Sequence, residues 1–299
     1  MSWISEYQYR WHETFAMKIV SCGRVPRHIA FIMDGNRRFA KSEHIPKIDG
    51  HSKGFEKLAD CLRWCLDAGI KEVTAFAFSI ENFKRTEDEV NGLLGLAKEK
   101  FEKLLLEKDE LEQHGVRIRV IGNISLLPLE LQQVIAKAVL CTENNDKLFL
   151  NIALSYTSHD EITQAVEAVL LHGSEELNSD EINDRLLDDC MYTSKSPSPD
   201  LLFRTSGESR ISDFLMWQLS TSVLYFTRVL WPRITIWNFL AGILTYQRAL
   251  YDLDIKEQQD LEEKHLMKTT SHYTDRVRKF LHRLDMFRRD FLLKLSKVN

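Results

Sequence analysis

The pentapeptide Asp34-Gly35-Asn36-Arg37-Arg38 puts a carboxylate, a small residue that exposes its backbone, an amide and two guanidiniums within one turn of chain. Those types suit an anion, because backbone N–H groups at a helix start favour phosphate and glycine lets a ligand approach closely. They also leave a metal option, since Mg2+ commonly takes one or two protein carboxylates and fills its shell with substrate phosphate oxygens and water. A turn with solvated charges reads equally well from these five residues alone. A second cluster, Arg204-Thr205-Ser206-Gly207-Glu208-Ser209-Arg210-Ile211-Ser212, adds two arginines six apart, short hydroxyls and another glycine. Guanidinium pairs bidentately with phosphate oxygens, so this segment suits a diphosphate. Asn82 and Arg85 stand in a third polar stretch. Three cationic segments with one metal-capable carboxylate provide for two diphosphates held together. The chain has no Gly-x-x-x-x-Gly-Lys-Ser/Thr or Gly-x-Gly-x-x-Gly, which argues against a P-loop or dinucleotide site.

Each cluster follows a short apolar run, the pattern of a buried parallel strand. Such runs at His28–Met33, Val73–Phe78, Val116–Ile121, Leu148–Leu154 and Asp200–Phe203 predict five strands. Between them, Ser52 predicts a cap for a helix to Asp67 that ends at Gly69. Thr86-Glu87-Asp88-Glu89 predicts a capping box for one helix, about 40 Å long, to Gly115. Further helices are predicted over 128–144, from a capping box at Ser158-His159-Asp160-Glu161, and over 179–190. The alternation predicts an α/β fold with a mainly parallel central sheet flanked by helices, whose ligand site lies at the carboxyl ends of the strands. Asp34, Ser79 and Arg204 occupy those ends.

Two amphipathic segments flank this core. Trp3, Ile4, Tyr7, Trp11, Phe15, Met17 and Ile19 predict an N-terminal helix over 2–20 that either lies on a membrane or docks on the protein's own core. After residue 250, residues 251–264 hold six acids and two bases, whereas 265–299 hold nine bases and three acids. Val277, Phe280, Leu284, Phe287 and Phe291 stripe that basic tail, which favours a protein partner or core packing over anionic lipid. The division is therefore 1–24, an amphipathic helix; 25–250, a catalytic domain; and 251–299, a charged helical tail serving assembly.

Composition excludes several classes. The 299 residues carry 44 acids and 40 lysines and arginines, net −4, which does not suggest nucleic acid. No run approaches the roughly 20 apolar residues of a membrane span, and Met1–Arg10 lacks the apolar core of a secretory signal. Five cysteines without Cys-x-x-Cys predict neither a disulfide framework nor a zinc site.

Taken in order, His28-Ile29-Ala30-Phe31-Ile32-Met33-Asp34-Gly35-Asn36-Arg37-Arg38, Phe78-Ser79-Ile80-Glu81-Asn82-Phe83, Arg204-Thr205-Ser206-Gly207-Glu208, Arg210-Ile211-Ser212-Asp213-Phe214-Leu215 and Val229-Leu230-Trp231-Pro232 resemble the cis-prenyltransferase family, most closely its animal branch, over roughly residues 1–250. The resemblance implies repeated condensation of isopentenyl diphosphate onto farnesyl diphosphate, giving a long-chain polyprenyl diphosphate, the precursor of dolichol. It implies Mg2+ on Asp34, an allylic diphosphate on Gly35, Arg37 and Arg38, and isopentenyl diphosphate on Arg85, Arg204, Arg210 and Ser212. Asn36, His51, Ser79 and Asn82 fall at family active-site positions. The apolar product is expected in a channel between the helices over 52–67 and 87–113, with Trp64, Leu93, Leu94 and Phe101 as candidate liners. Asp188-Asp189 lacks the third acid of the Asp-Asp-x-x-Asp motif of trans-acting prenyl synthases and reads as a solvated helix end.

The chain departs from the family pattern in four places, one of them Arg37, which occupies the small-residue position of bacterial forms. Val223 stands where bacterial relatives carry a metal-binding Glu before Leu-Tyr-Phe, so the metal leans on Asp34 alone. Lys47 replaces an arginine and loses the bidentate fork, which leaves it outside the site set. No Arg-x-Gly occurs after residue 210, whereas homomeric members end with that motif. A second, non-catalytic subunit similar to the Nogo-B receptor is expected to supply it, with peripheral contact to the cytoplasmic face of the endoplasmic reticulum membrane. The competing reading is a non-catalytic scaffold subunit that keeps the fold; a metal-dependent phosphohydrolase would need extra carboxylates at strand ends.

Overall fold

The computed structural model describes residues 7–173, 177–250 and 273–297. Six strands form the central sheet: β1 (His28–Ile32), β2 (Glu72–Ser79), β3 (Val116–Ile121), β4 (Leu148–Tyr156), β5 (Leu201–Arg204) and β6 (Val223–Phe226). Their order is β3-β4-β2-β1-β5-β6, and every neighbouring pair is parallel. Every residue of β1 and β5 is buried, the signature of strands covered on both faces. The predicted α/β architecture is present, with one strand more than expected. β6 is a four-residue edge strand inside a polar stretch, too short for periodicity to reveal, and Val223 pairs with Leu201 at its start.

The helices are α1 (Trp11–Cys22), α2 (Asn36–Glu43), α3 (Lys47–Ala68), α4 (Glu87–Leu106), α5 (Lys108–His114), α6 (Leu129–Cys141), α7 (Ser158–Gly173), α8 (Asp184–Cys190), α9 (236–250) and α10 (Asp275–Lys297). The main core lies where one face of the sheet, with Ile29, Phe31, Val73, Ala75 and Phe203, meets α1, α3, α4, α6 and α9. On the other face Ala30, Ile32 and Leu202 pack against Phe214 and Leu215, and α7, α8 and α10 share a further cluster around Val169, Leu186 and Phe280.

Several helix boundaries differ from expectation, each for a local reason. α3 starts at Lys47, five residues before Ser52, because Pro46 precedes it with the fixed φ that suits a helix start. The long helix to Gly115 is broken at Glu107, so α4 runs about 30 Å before α5 resumes. Neither predicted capping box forms. Thr86 is the residue before α4 but makes no side-chain cap bond, and at α7 it is the Thr157 hydroxyl that accepts from Asp160 N, at 3.2 Å. Glu89 and Glu161 are engaged elsewhere. The acidic segment over 179–190 is a 3-10 turn at Ser179–Glu181 followed by the shorter α8. The Asp188-Asp189 pair is more than a solvated end: Asp188 accepts from the Trp217 indole and Asp189 from the Tyr273 hydroxyl.

Among the described residues the N-terminal helix starts at Trp11, where Arg10 N donates to the Glu13 carboxylate at 2.8 Å. Residues 2–6 of that expectation lie outside the described residues. Tyr7 instead packs edge-on against Tyr9 and Trp64, and Met17 and Val20 are buried. Trp11, Phe15 and Ile19 face outward. In the tail, the acidic run 251–264 lies outside the described residues. Val277, Phe280 and Leu284 of α10 are buried against α7 and α8, and Arg288 donates to the Cys190 and Met191 carbonyls; Phe287 remains exposed. The five cysteines are free thiols, with Cys61 and Cys65 buried as expected of small apolar residues.

α2 reaches the sheet end because α3 lets it approach. A Cβ on Gly50 would lie 2.6 Å from the Asn36 carbonyl oxygen and 2.8 Å from the Ala40 Cβ. Gly50→Ala therefore lowers stability by about 2 kcal/mol, the scale of an overpacked site, despite the gain of about 1 kcal/mol in helix propensity. Urea denaturation checks the sign, and a stabilised variant would show that α2 yields freely.

Candidate active site

The chain leaves β1 through Met33 and Asp34, and Gly35 turns it into α2 with φ 113°, a left-handed conformation glycine adopts without strain. A Cβ there would also meet Leu230 at 3.0 Å, so the turn is closed from behind by the segment that carries Trp231. Trp231 N donates to the Asp34 carbonyl at 3.0 Å and its indole to the Gly54 carbonyl at 2.7 Å, tying β1, α3 and the turn together. From the next strand end, the Thr205 hydroxyl donates to the same Asp34 carbonyl at 2.6 Å.

Four charged side chains meet between the ends of β1 and β5. Arg204 is 2% exposed, and its Nη2 donates to Asp34 Oδ2 at 3.1 Å. Its Nη1 donates to Ser212 Oγ at 2.9 Å and to the Arg210 carbonyl. Arg38 reaches Asp34 at 3.7 Å and Glu208 at 3.8 Å, and donates to the Ser206 carbonyl at 3.0 Å and to its hydroxyl. Arg210 itself turns outward onto Glu208 at 2.6 Å. Burial would raise the Asp34 pKa, but hydrogen bonds from Ser206 and Arg204 and the charge of Arg38 outweigh it and hold the carboxyl below its ordinary value. Asp34 is thus an ionised hard oxygen donor, and its side chain is a third exposed.

A second cluster joins α2, α3 and the loop after β2. Glu89, on the first turn of α4, receives Arg85 at 3.0 Å, Lys47 at 3.0 Å and Arg37 at 3.5 Å. Its pKa is lowered: burial raises it, but the Lys47 bond and the Arg85 and Arg37 charges prevail. Ser79 and Asn82 shape the turn that delivers Arg85. The Asn82 amide oxygen accepts from Ser79 N at 3.1 Å, Ser79 Oγ accepts from Glu81 N at 3.2 Å, and Arg85 N donates to the Asn82 carbonyl. His51 lies beside this cluster. Burial first, then Arg85, pushes its pKa down to about 4, so the ring is neutral at physiological pH. Its Nε2 and the Asn36 amide oxygen are buried without a hydrogen-bond partner.

Asn36 and His51 also open onto an apolar cleft enclosing about 760 Å³, part of it continuous with solvent. Phe55 and Leu58 of α3, Leu93, Leu94 and Phe101 of α4, and Ile152 and Leu154 of β4 line it. Trp64 does not; it is fully buried in the core against Tyr7 and Phe239. A cationic, carboxylate-bearing mouth on an apolar cleft suits a molecule with a diphosphate head and a hydrocarbon tail.

All twelve predicted site residues gather at the carboxyl ends of β1, β2 and β5 or on α2 and α3 beside them. Sequence reasoning missed Glu89, read as a cap, and set Lys47 aside. A half-buried acid facing three cations has no short-range signal, although four acids and bases at 85, 87, 88 and 89 flag the region. Glu89→Gln removes the shared charge and lets Arg85 and Arg37 repel. Steady-state kinetics then shows kcat/KM about tenfold lower, one charged hydrogen-bond network's worth, with most of the change in KM. Unchanged kinetics with a lower Tm would make Glu89 a structural clamp only.

Among the described residues, no three His, Cys, Asp or Glu side chains converge as a metal cage, and no helix is long and apolar enough to cross a membrane. A family model described as "Putative undecaprenyl diphosphate synthase" matches residues 32–251. A dehydrodolichyl diphosphate synthase complex subunit of Homo sapiens is 46% identical over 333 residues, spanning 100% of both chains. Its counterpart in Mus musculus is 52% identical over 250 residues, 83% of this chain and 75% of its own. In three dimensions, lavandulyl diphosphate synthase from Lavandula x intermedia, solved with dimethylallyl diphosphate, matches with TM-score 0.71 and 29% identity over 75% of this chain and 95% of that one.

Proposed function

Because the chain belongs to the undecaprenyl diphosphate synthase family of cis-prenyltransferases, we propose that it is the catalytic subunit that extends farnesyl diphosphate with successive isopentenyl diphosphates into a dehydrodolichyl diphosphate. The observation that carries this reading is the junction of the Asp34–Arg204–Arg38 cluster with the apolar cleft at Asn36 and His51. In each cycle the allylic C–O bond breaks, the allylic carbon joins isopentenyl diphosphate, and a proton leaves the new unit.

Gly35, Arg37 and Arg38 hold the departing allylic diphosphate. Arg85, Arg204, Arg210 and Ser212 hold isopentenyl diphosphate. The guanidiniums stabilise negative charge where it grows as the allylic cation forms. Asp34 fits one corner of a Mg2+ shell, because it is ionised, partly open and an oxygen donor; the other ligands come from substrate and water. Bound there, Mg2+ supplies Lewis-acid stabilisation to the leaving diphosphate. His51, neutral and with its Nε2 buried, bounds the mouth without adding a charge, and Asn36 offers an unpaired amide oxygen beside it. The cleft keeps the growing chain dry.

The domain from 25 to 250 carries this chemistry, and the helical tail serves assembly. A partner resembling the Nogo-B receptor completes the diphosphate site with an Arg-x-Gly segment, and the outward Trp11, Phe15 and Ile19 of α1 rest on the cytoplasmic face of the endoplasmic reticulum membrane. One added arginine on a phosphate is worth about 2 kcal/mol, or roughly thirtyfold in kcat/KM. The test is labelled isopentenyl diphosphate with farnesyl diphosphate, given to the purified chain alone and with such a partner. Long polyprenyl products that increase about thirtyfold with the partner support the reading. Full elongation by the isolated chain removes the partner from the mechanism, and phosphate release without chain growth overturns the enzyme class.

A further inference from the structure

We propose that Ser158, at the start of α7 and 58 residues before Met216, which donates to it, is a positioning residue that holds the Arg210–Ser212 segment against Arg204. The inference rests on the substrate assignment above and names the device that maintains it. Six non-glycine residues have positive φ among the described residues. One, His44, caps α2, and the other five lie at the end of β4, Ser155 (51°), and in the loop after β5, Ser206 (80°), Ser212 (58°), Asp213 (56°) and Leu215 (50°). Left-handed backbone is disfavoured for such side chains, and it persists only where surrounding contacts over-determine it. Three of these residues fall within the four positions 212–215, directly after Arg210.

Both ends of that strained turn are fastened to one residue. Ser158 N donates to the Asp213 carbonyl at 2.8 Å, and Met216 N donates to Ser158 Oγ at 2.8 Å. His159 N adds a longer bond to Asp213 Oδ1 at 3.3 Å, so a distant carboxylate shares the first turn of α7 with the Thr157 hydroxyl. Ser158 is 2% exposed, which removes water as a competitor for these bonds. Between the fastened ends, Phe214 is fully buried and stacks on Phe76 of β2 with ring centroids 4.4 Å apart. The turn in its left-handed form presents Ser212 Oγ and the Arg210 carbonyl to the same Arg204 nitrogen. Relaxing Ser212 or Asp213 to negative φ would swing those two acceptors away from Arg204 and carry the Arg210 side chain with them. Ser158 touches neither substrate nor Arg204; it acts through the turn.

The readout is isopentenyl diphosphate binding by calorimetry to the full-length chain, alone and with the partner, without an allylic starter, where no turnover occurs, together with both KM values in the elongation assay of the complex. Ser158→Ala deletes the acceptor for Met216 N together with the hydroxyl's hydrogen bond to Tyr156, and leaves the Ser158 N bond to Asp213 in place. The expected result is a Kd and KM for isopentenyl diphosphate raised about tenfold, with KM for farnesyl diphosphate and kcat within twofold. Ser158→Thr, which keeps the hydroxyl, restores the wild-type values. A variant that loses Tm but binds isopentenyl diphosphate as wild type would overturn the proposal, as would equal rises in both KM values. If the wild-type chain binds no isopentenyl diphosphate either alone or with the partner, the substrate assignment fails first and this inference falls with it.

Discussion

Replacing Asp34 by asparagine leaves a folded protein whose chain elongation is slower by about 10³-fold, the scale of removing one preorganised electrostatic element from a transition state. The amide keeps the size of the carboxylate and an oxygen able to accept from Arg204, so the fold at the end of β1 survives. What is lost is the negative oxygen that would anchor a divalent cation, and the loss falls on kcat more than on KM because the leaving diphosphate gains charge only as the bond breaks. The pH dependence carries the same signature. Asp34 is depressed below 3.8, so its ionised form and the stability drawn from Arg204 and Arg38 are fully present above that ordinary value and are lost only as pH falls through the lower folded value. With His51 at about 4, neither group titrates between pH 5 and 8. The elongation rate of wild type therefore shows no acid limb from these two groups in that window. A product yield from Asp34→Asn matching wild type at saturating substrates would exclude the carboxylate from the chemistry.

The parts of this site that the sequence discloses are those fixed by topology. A parallel sheet puts the carboxyl ends of its strands on one edge, so Asp34 after β1 and Arg204 within β5 are neighbours whatever else the chain does; the register pairs Ile32 with Arg204 directly. Gly35 is legible for the same reason, because a strand must turn sharply into a helix there. What stays hidden is which neutral or opposite charge each cation meets first. Lys47 and Glu89 lie 42 residues apart and face each other only because α3 starts at Lys47 and α4 at Glu87. The same acid at Glu89 has two local readings, a cap or a charge partner, and the tertiary cations decide. Ser158 is hidden in the same way: its hydroxyl fits a capping box of its own helix, but a strained turn from the far side of the sheet takes it. Trp64 errs in the opposite direction. Its spacing puts it on the buried side of α3, and nothing local distinguishes a residue facing the cleft from one facing Tyr7 and Phe239.

Arg204→Lys is the second large effect, and its contrast with Arg210→Lys separates two arginines that look alike as a pair six apart. Arg204 is buried, and one planar fork serves Asp34, Ser212 and the Arg210 carbonyl at once. A lysine ammonium at that depth is a single point that cannot span three acceptors on opposite sides. At least one acceptor is left unpaired, at about 2 kcal/mol of stability, and Asp34 is released to reorient. The expected outcome is a Tm several degrees lower and kcat/KM about 10²-fold lower, because both diphosphate clusters lose their common anchor. Arg210 points into solvent, with its side chain 67% exposed, and pairs with Glu208. Lysine there keeps the charge and the backbone carbonyl that Arg204 uses, so stability is unchanged and only KM for isopentenyl diphosphate rises, by about threefold, as expected of an exposed ion pair. Thermal melts and paired kinetics on the two variants decide the matter: equal effects would mean that the buried fork has no special place in the site, and that charge alone holds the diphosphate.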